Sequence, residues 1–324
     1  MEPKMYANLH NHTTHSDGVF SPAELVKVAK DEGYGAVAAT DHDTATAYPE
    51  LKAACEKEGL EAIFGCEFSA SCKQYSEYFS DCHLVGFHFN PEHSDMKEYL
   101  RNLSNAKTEV TEYLFELAMK EGRLPKGITW QEVRDYNKGI TWLCNDHVFA
   151  AMNAKGLVTE LEWPQYNKTC FAYSFAKTIG VKSKFPVLEL QDMIALIHDA
   201  GGIAVAAHPT KQLAILPELV KWGLDGIEVW HNSLLRRGYQ KPALKLALEY
   251  GLYISGGADH SGLCGGQYKF FEKPEETRHW AEPMSLGTTK EFFDEIKNMK
   301  LMDGRDDIIK QYIDMYPDVE IESV

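Results

Sequence analysis

No apolar run in this 324-residue chain approaches the ~20 residues that span a bilayer as a helix. The opening residues, MEPKMY, lack the charged-then-apolar pattern of a secretory signal. A membrane segment is therefore not expected, and a cytoplasmic location is. The seven cysteines are odd in number and scattered, with no C-x-x-C pair, which argues against a disulfide framework and against a thiolate zinc site. Reduced thiols are expected, several of them in the core. No basic run offsets the formal charge of −15, so duplex nucleic acid is a poor partner. A small anion is still compatible, because bound divalent cations reverse the potential of the pocket that holds them. Repeats and low-complexity tracts are absent too. Three N-x-S/T matches, beginning at Asn11, Asn102 and Asn167, carry no weight without a secretory signal.

What is present is the composition of a soluble globular protein, 44% hydrophobic and 25% charged, in a chain long enough for one barrel or two domains. The segment 21-SPAELVKVAKDEG-33 predicts a helix, with Ser21 as N-cap, Pro22 at the first position, Glu24 completing a capping box and Gly33 as the stop. Short apolar runs around residues 6–10, 36–40, 61–68 and 83–89 alternate with helical patterns. The alternation resumes at residue 187, with strands expected at 203–208, 226–230 and 252–257. Short buried runs separated by helices indicate a parallel sheet. The count of seven strands is one short of the eight-stranded barrel. Pro242 is expected to break or restart the helical pattern over 234–251, and a last helix is expected at 289–300. Between 92 and 186 the periodicity is helical. The reading is therefore a discontinuous barrel, 1–91 and 187–324, carrying a helical insertion over 92–186.

The residues able to bind metal recur at strand ends. In 8-NLHNHTTHSDG-18, His10 and His12 alternate on an extended strand and so project to one face. His42 follows the second strand, Glu67 ends the third, His83 lies on the fourth, His208 ends the fifth, and Asp259 with His260 follows the seventh. Strand ends of a parallel barrel share one rim, so residues distant in sequence meet there. Taken singly, each has an ordinary structural explanation as a solvated or core side chain; recurrence at strand ends does not. His88, His93, His198 and His279 receive no role. Asp43 reads as a turn residue or as an acceptor for a histidine N–H near a metal.

The pieces 10-HNHTTHSDG-18, 40-TDHD-43, 65-GCEFS-69, 83-HLVGF-87, 201-GGIAVAAHP-209 and 256-GGADHSG-262 together resemble the polymerase and histidinol phosphatase (PHP) superfamily, in the family's order. The helix 145-NDHVFAAMNAKG-156 is similar to one in the insertion of its free-standing phosphoesterases. The resemblance implies a distorted seven-stranded (β/α)7 barrel with a mostly helical insertion acting as a lid. It also implies a ligand set of His10, His12, Asp17, His42, Glu67, His83, His208, Asp259 and His260, with Glu67 bridging. Nine ligands suit two or three divalent ions. The last motif departs from the family's G-S-D-x-H, because the histidine directly follows Asp259 and Ser261 stands where the family has histidine. His15 is extra to the pattern and competes with Asp17 or contacts substrate.

Imidazole and carboxylate without thiolate favour Mn²⁺, Fe²⁺ or Zn²⁺, and paired ions of this kind hydrolyse phosphate esters. Glu67 and His231 are the catalytic candidates, His231 as proton donor to the leaving group. His15, His147, Lys168 and Lys211 are candidates for substrate contact, with Lys155, Arg236 and Arg237 as further cations. The expected activity is a metal-dependent phosphoesterase acting on a small phosphorylated metabolite: a nucleoside phosphate, a nucleotide 3′,5′-bisphosphate, a cyclic sugar phosphate or histidinol phosphate. The alternatives are a 5′–3′ exonuclease on short oligonucleotides and a noncatalytic metal-bound scaffold. A metal-dependent amidohydrolase fits less well, since its carboxylated-lysine strand and eight-strand pattern are not visible. The sequence leaves the oligomeric state open.

Overall fold

The structure, a computed structural model, describes residues 3–78, 82–159, 162–171, 180–259 and 284–322. Its strands are β1 (Met5–Asn8), β2 (Ala36–Ala39), β3 (Glu61–Ala70), β4 (Cys82–Phe87), β5 (Ile203–Ala206), β6 (Gly226–Glu228), β7 (Tyr253–Ser255) and the two-residue β8 (Thr288–Thr289). They form one sheet in the order β7-β6-β5-β4-β3-β2-β1-β8. Beyond the ends of β7 and β1 the ring closes at the rim that carries the ligands. Leu9 N–H donates to the Gly256 carbonyl at 3.2 Å, and Asp259 N–H to the His10 carbonyl at 2.8 Å.

The first helix, α1 (Pro22–Glu32), begins as its sequence predicts. The Ser21 side chain accepts from the Glu24 N–H, Glu24 returns the bond, and Gly33 closes the helix in the left-handed conformation. The helical pattern over 234–251 does break, but at Gly238, with φ +70°, and the next helix starts at Gln240, ahead of Pro242.

One expectation is corrected. The sheet is not wholly parallel: β4 runs antiparallel to both β3 and β5. The β3–β4 connection, 71–81, is eleven residues long, and its described part carries a 3-10 turn at Lys73–Tyr75, whereas a parallel crossover takes a dozen or more residues, usually with a helix. Reversal is what brings His83, the second residue of β4, level with Ser69 near the end of β3. In a parallel strand the same residue would sit at the far end of the barrel.

Inside the ring Ala7, Leu9, Ala36, Ala38, Ile63, Val85, Phe87 and Val205 pack together, and Phe293 and Ile296 of the late helix Lys290–Asn298 join them. Small residues on β1 and β2 leave space for Phe87, and these apolar contacts fill the barrel below the rim. Between β4 and β5 the described residues include the helices α3 (Ser94–Lys120), α4 (Trp130–Tyr136) and α5 (Asn145–Ala154). They bury a second cluster around Phe115, Val133, Val148, Phe149 and Met152. Among the described residues no helix is long and apolar enough to cross a membrane. The six described cysteines are all buried free thiols.

Candidate metal centre

Glu67 lies at the middle of the rim, 1% exposed, with five imidazoles around its carboxylate. Its Oε1 is 2.9 Å from His83 Nδ1 and 2.8 Å from His208 Nε2. Its Oε2 is 3.0 Å from His12 Nε2, 3.1 Å from His42 Nδ1 and 3.3 Å from His10 Nε2. Asp17 Oδ1 reaches His12 Nδ1 at 3.0 Å, and Asp259 Oδ1 is 3.5 Å from His12 Nε2. Eight of the nine residues in the implied ligand set therefore converge; the ninth, His260, lies outside the described residues. Backbone geometry aims two of them. His208 and Asp259 hold left-handed φ of +33° and +69°, conformations that non-glycine residues keep only when their surroundings enforce them.

The donors fit divalent cations on the following observation. His10 Nδ1 donates to Glu228 Oε1 at 2.8 Å, so once a cation displaces the ring's second proton the free lone pair is on Nε2. That Nε2 faces His12 Nε2 at 3.3 Å, next to Glu67. Two ring nitrogens and a carboxylate meeting in a buried space call for positive charge between them. Burial disfavours charge on both imidazoles, yet Glu228 and Glu67 hold His10 well above the usual histidine range, and Asp17 with Glu67 holds His12 at about 10. Burial pushes His42 the other way, to about 3. Burial also opposes charge on Glu67, but His42, His10 and His83 outweigh it and keep the carboxylate well below its ordinary range. Four groups of donors, His10–His12–Glu67, His10–Glu228–His231, His12–Asp17–His42 and His42–Glu67–His83, are each compact enough to hold an ion.

Residues 8–182, more than half of the chain, match the PHP domain family model. The chain belongs to the PHP domain family. It is 29% identical over 270 residues to a 5′-3′ exoribonuclease of Haemophilus influenzae, covering 80% of this chain and 90% of that protein. It is 24% identical over 265 residues to a phosphoribosyl 1,2-cyclic phosphate 1,2-diphosphodiesterase of Eggerthella lenta, covering 81% and 96%. The crystal structure of a Bifidobacterium adolescentis protein named as a metal-dependent phosphoesterase superposes with a TM-score of 0.67 at 25% identity, over 94% of this chain and 99% of that one. As a PHP protein the chain is a metal-dependent phosphoesterase.

The remaining candidates fall in different places. His231 is fully buried in the cluster, its ring centroid 5.1 Å from that of His10 and 5.2 Å from that of His208. Its Nδ1 accepts from Ser233 N–H at 3.1 Å, so the neutral ring carries its proton on Nε2, which faces Asp259 Oδ2 at 3.3 Å. His15 pairs with the Thr46 hydroxyl at 2.7 Å and is in none of the converging donor groups. Lys168 and Lys211 are exposed, and Lys211 Nζ donates to the Tyr78 carbonyl at 3.4 Å. His147 was expected to contact substrate, but both its ring nitrogens bond to protein, Nδ1 to Cys144 N–H at 2.9 Å and Nε2 to the Thr14 carbonyl at 3.0 Å. Of the two readings of Asp43, turn residue and acceptor for a histidine N–H, the structure fits the first: it lies in a turn with φ +51°. Its carboxylate takes the Ser69 N–H and hydroxyl at 2.9 and 2.7 Å and the Lys107 ammonium.

Sequence reading gave no role to Glu228, Asp41, Lys107 or Trp142. Glu228 is a buried carboxylate at the end of a short apolar strand, and that position, shared with the ligands, was a readable signal. Asp41 accepts from Thr13 N–H and hydroxyl, each at 2.7 Å, and from the Ser16 hydroxyl at 2.6 Å, fixing the loop that carries Asp17. Lys107, on α3, lies 4.6 Å over the Trp142 ring, which meets His42 edge-on at 6.3 Å. Nothing in their spacing along the chain points to the rim. A cavity of about 310 Å³ opens beside Asp17, between the 14–19 loop and the insertion residues Tyr136, Lys138, Asp146 and His147.

Proposed function

We propose that the protein hydrolyses the phosphate ester of a small phosphorylated metabolite, using two or three divalent ions held at the barrel rim. His10, His12, Asp17, His42, Glu67, His83, His208 and Asp259 would hold them, with Glu67 offering one oxygen to each of two sides. When bound, such ions polarise phosphate oxygens and make water acidic enough to supply a nucleophile at neutral pH. Glu228 keeps His10 in the tautomer whose Nε2 lone pair faces the centre. His231 Nε2–H faces the same centre, where it would donate a hydrogen bond that stabilises charge on the ester oxygen that leaves. The observation that carries this reading is the carboxylate of Glu67 inside five imidazoles, with no thiolate against it among the described residues.

Phosphate release would be assayed with Mn²⁺ across nucleoside monophosphates, nucleotide 3′,5′-bisphosphates, cyclic sugar phosphates, histidinol phosphate and short oligoribonucleotides, with His12→Ala as control. Release from one small compound, lost in the control, is the expected result. Turnover absent from every compound, at full metal loading, would overturn the reading in favour of a scaffold. The similarity to the H. influenzae exoribonuclease favours a second reading, removal of 5′ nucleotides from short RNA. Mononucleotide products from an oligoribonucleotide, faster than phosphate release from any monoester, would select it. The charge of −15 weighs against long polyanions.

A further inference from the structure

Several bonds between the insertion and the barrel end on the loops carrying metal-site residues. On the barrel side, Asp41 grips loop 13–18 from within through Thr13 and Ser16. Gly18 lets the loop fold back on itself: a Cβ there would stand 2.2 Å from the His12 backbone. The outer edge of the same loop presents two carbonyls, those of Thr14 and Ser16, to the start of α5. His147 Nε2 meets the first at 3.0 Å, and Cys144 Sγ the second at 3.4 Å.

The chemistry of these two contacts is directional. His147 Nδ1 accepts the Cys144 N–H at 2.9 Å, so the proton of the neutral ring must reside on Nε2, where it donates to Thr14. Cys144 is buried beside Asp146 and Asp17, and burial, reinforced by both carboxylates, keeps its thiol protonated as a donor. His147 is itself 4% exposed, and its own carbonyl accepts from Asn137 Nδ2 at 3.1 Å. Neighbouring contacts hold the same segment down: Leu143 N–H donates to Thr108 Oγ1 at 3.0 Å, and Thr141 Oγ1 lies 3.1 Å from Thr44 Oγ1. Asp17, one residue past the second carbonyl, points its Oδ1 at His12 Nδ1, 3.0 Å away.

We infer that His147, assisted by Cys144, is a positioning residue for the metal centre: from the insertion it holds loop 13–18 in the conformation that sets the Asp17 carboxylate beside His12. The insertion is then part of the metal centre's construction and not only a cover over it. A carboxylate on a loop must be held to within a fraction of an ångström to serve as a ligand. Here two of the contacts on the loop come from residues more than a hundred positions away in sequence. The inference rests on the reading of Asp17 as a ligand, and it concerns metal binding, not turnover.

The test uses the full chain loaded with Mn²⁺, with metal content per chain and the affinity of the weakest-held ion read by mass spectrometry after dialysis and by titration. His147→Ala is expected to weaken that ion 10–100-fold, the range typical of lost supporting contacts, while the other ions stay bound. Cys144→Ser, which keeps a donor at the same place and a favoured N-cap, should bind like the unmodified chain. Asp17→Asn should lose the same ion, and His147→Ala on the Asp17→Asn background should lose nothing more. Full metal content in His147→Ala, alongside loss in Asp17→Asn, overturns the inference alone. Unchanged content in Asp17→Asn removes both the ligand reading and the inference built on it. Additive losses in the double variant, or release of every ion together with the fold in His147→Ala, show a general structural role and also overturn it.

Discussion

Glu228 Oε1 accepts the Nδ1–H of His10 at 2.8 Å across 218 residues of sequence, and Glu228 Oε2 accepts the backbone N–H of His208 at 2.5 Å. One buried carboxylate thus orients a candidate ligand just after the first strand and the backbone of another after the fifth. Glu228→Ala removes both acceptors. Metal affinity is expected to fall 10–100-fold while the circular dichroism spectrum is unchanged, and competition titration against a chelating dye measures it. Undiminished affinity would show that His10 needs no outside support.

Lys107 and Asp43 form a buried pair that ties α3 to the rim. Asp43 is fully buried. Burial favours its neutral form, but the Lys107 ammonium outweighs this and draws its carboxyl below the ordinary aspartate range. Lys107→Met strands the carboxylate and is expected to cost about 3–5 kcal/mol, read by urea denaturation at pH 7. Because the folded-state value is depressed, the pair's stabilisation is present above the unfolded value near 3.8 and is lost as pH falls through the lower folded value. The difference between the two chains should therefore shrink only in strong acid.

Burial holds His147 below its ordinary value, against the opposing influence of the Thr14 carbonyl, Asp17 and Asp41. The unfolded chain then takes up this proton more readily than the folded one, so stability is lost as pH falls below about 6.5 and is complete above it. Between pH 7.5 and 5.5 the stability of the metal-free unmodified chain, measured relative to that of His147→Gln, should fall. Parallel curves for the two chains would contradict the neutral Nε2–H ring.

Ions that bind only the folded chain stabilise it by mass action, about 2.7 kcal/mol at a hundredfold excess over Kd. Exhaustive chelation is expected to lower the melting temperature by several degrees. Readdition of Mn²⁺ should restore it in the unmodified chain and not in Glu67→Ala, as scanning calorimetry would show. Recovery in that variant would mean that the centre does not depend on the carboxylate at its middle.

Much of the architecture was legible in the linear pattern. Helix α1 is written in Ser21, Pro22, Glu24 and Gly33, all local contacts. The converging donors were legible because a strand end is a local property and barrel strand ends share a rim. The direction of β4 was not, since an apolar run reads the same either way and only the short 71–81 connection decides it. That reversal alone makes His83 a neighbour of Glu67. Nor could the sequence reveal that His147 spends both nitrogens on the protein, that Lys107 answers Asp43, or that Glu228 serves His10. Residue type and spacing determined which atoms can bind a cation, whereas orientation depends on bonds between distant elements, which exist only once the barrel closes and the insertion docks on its rim.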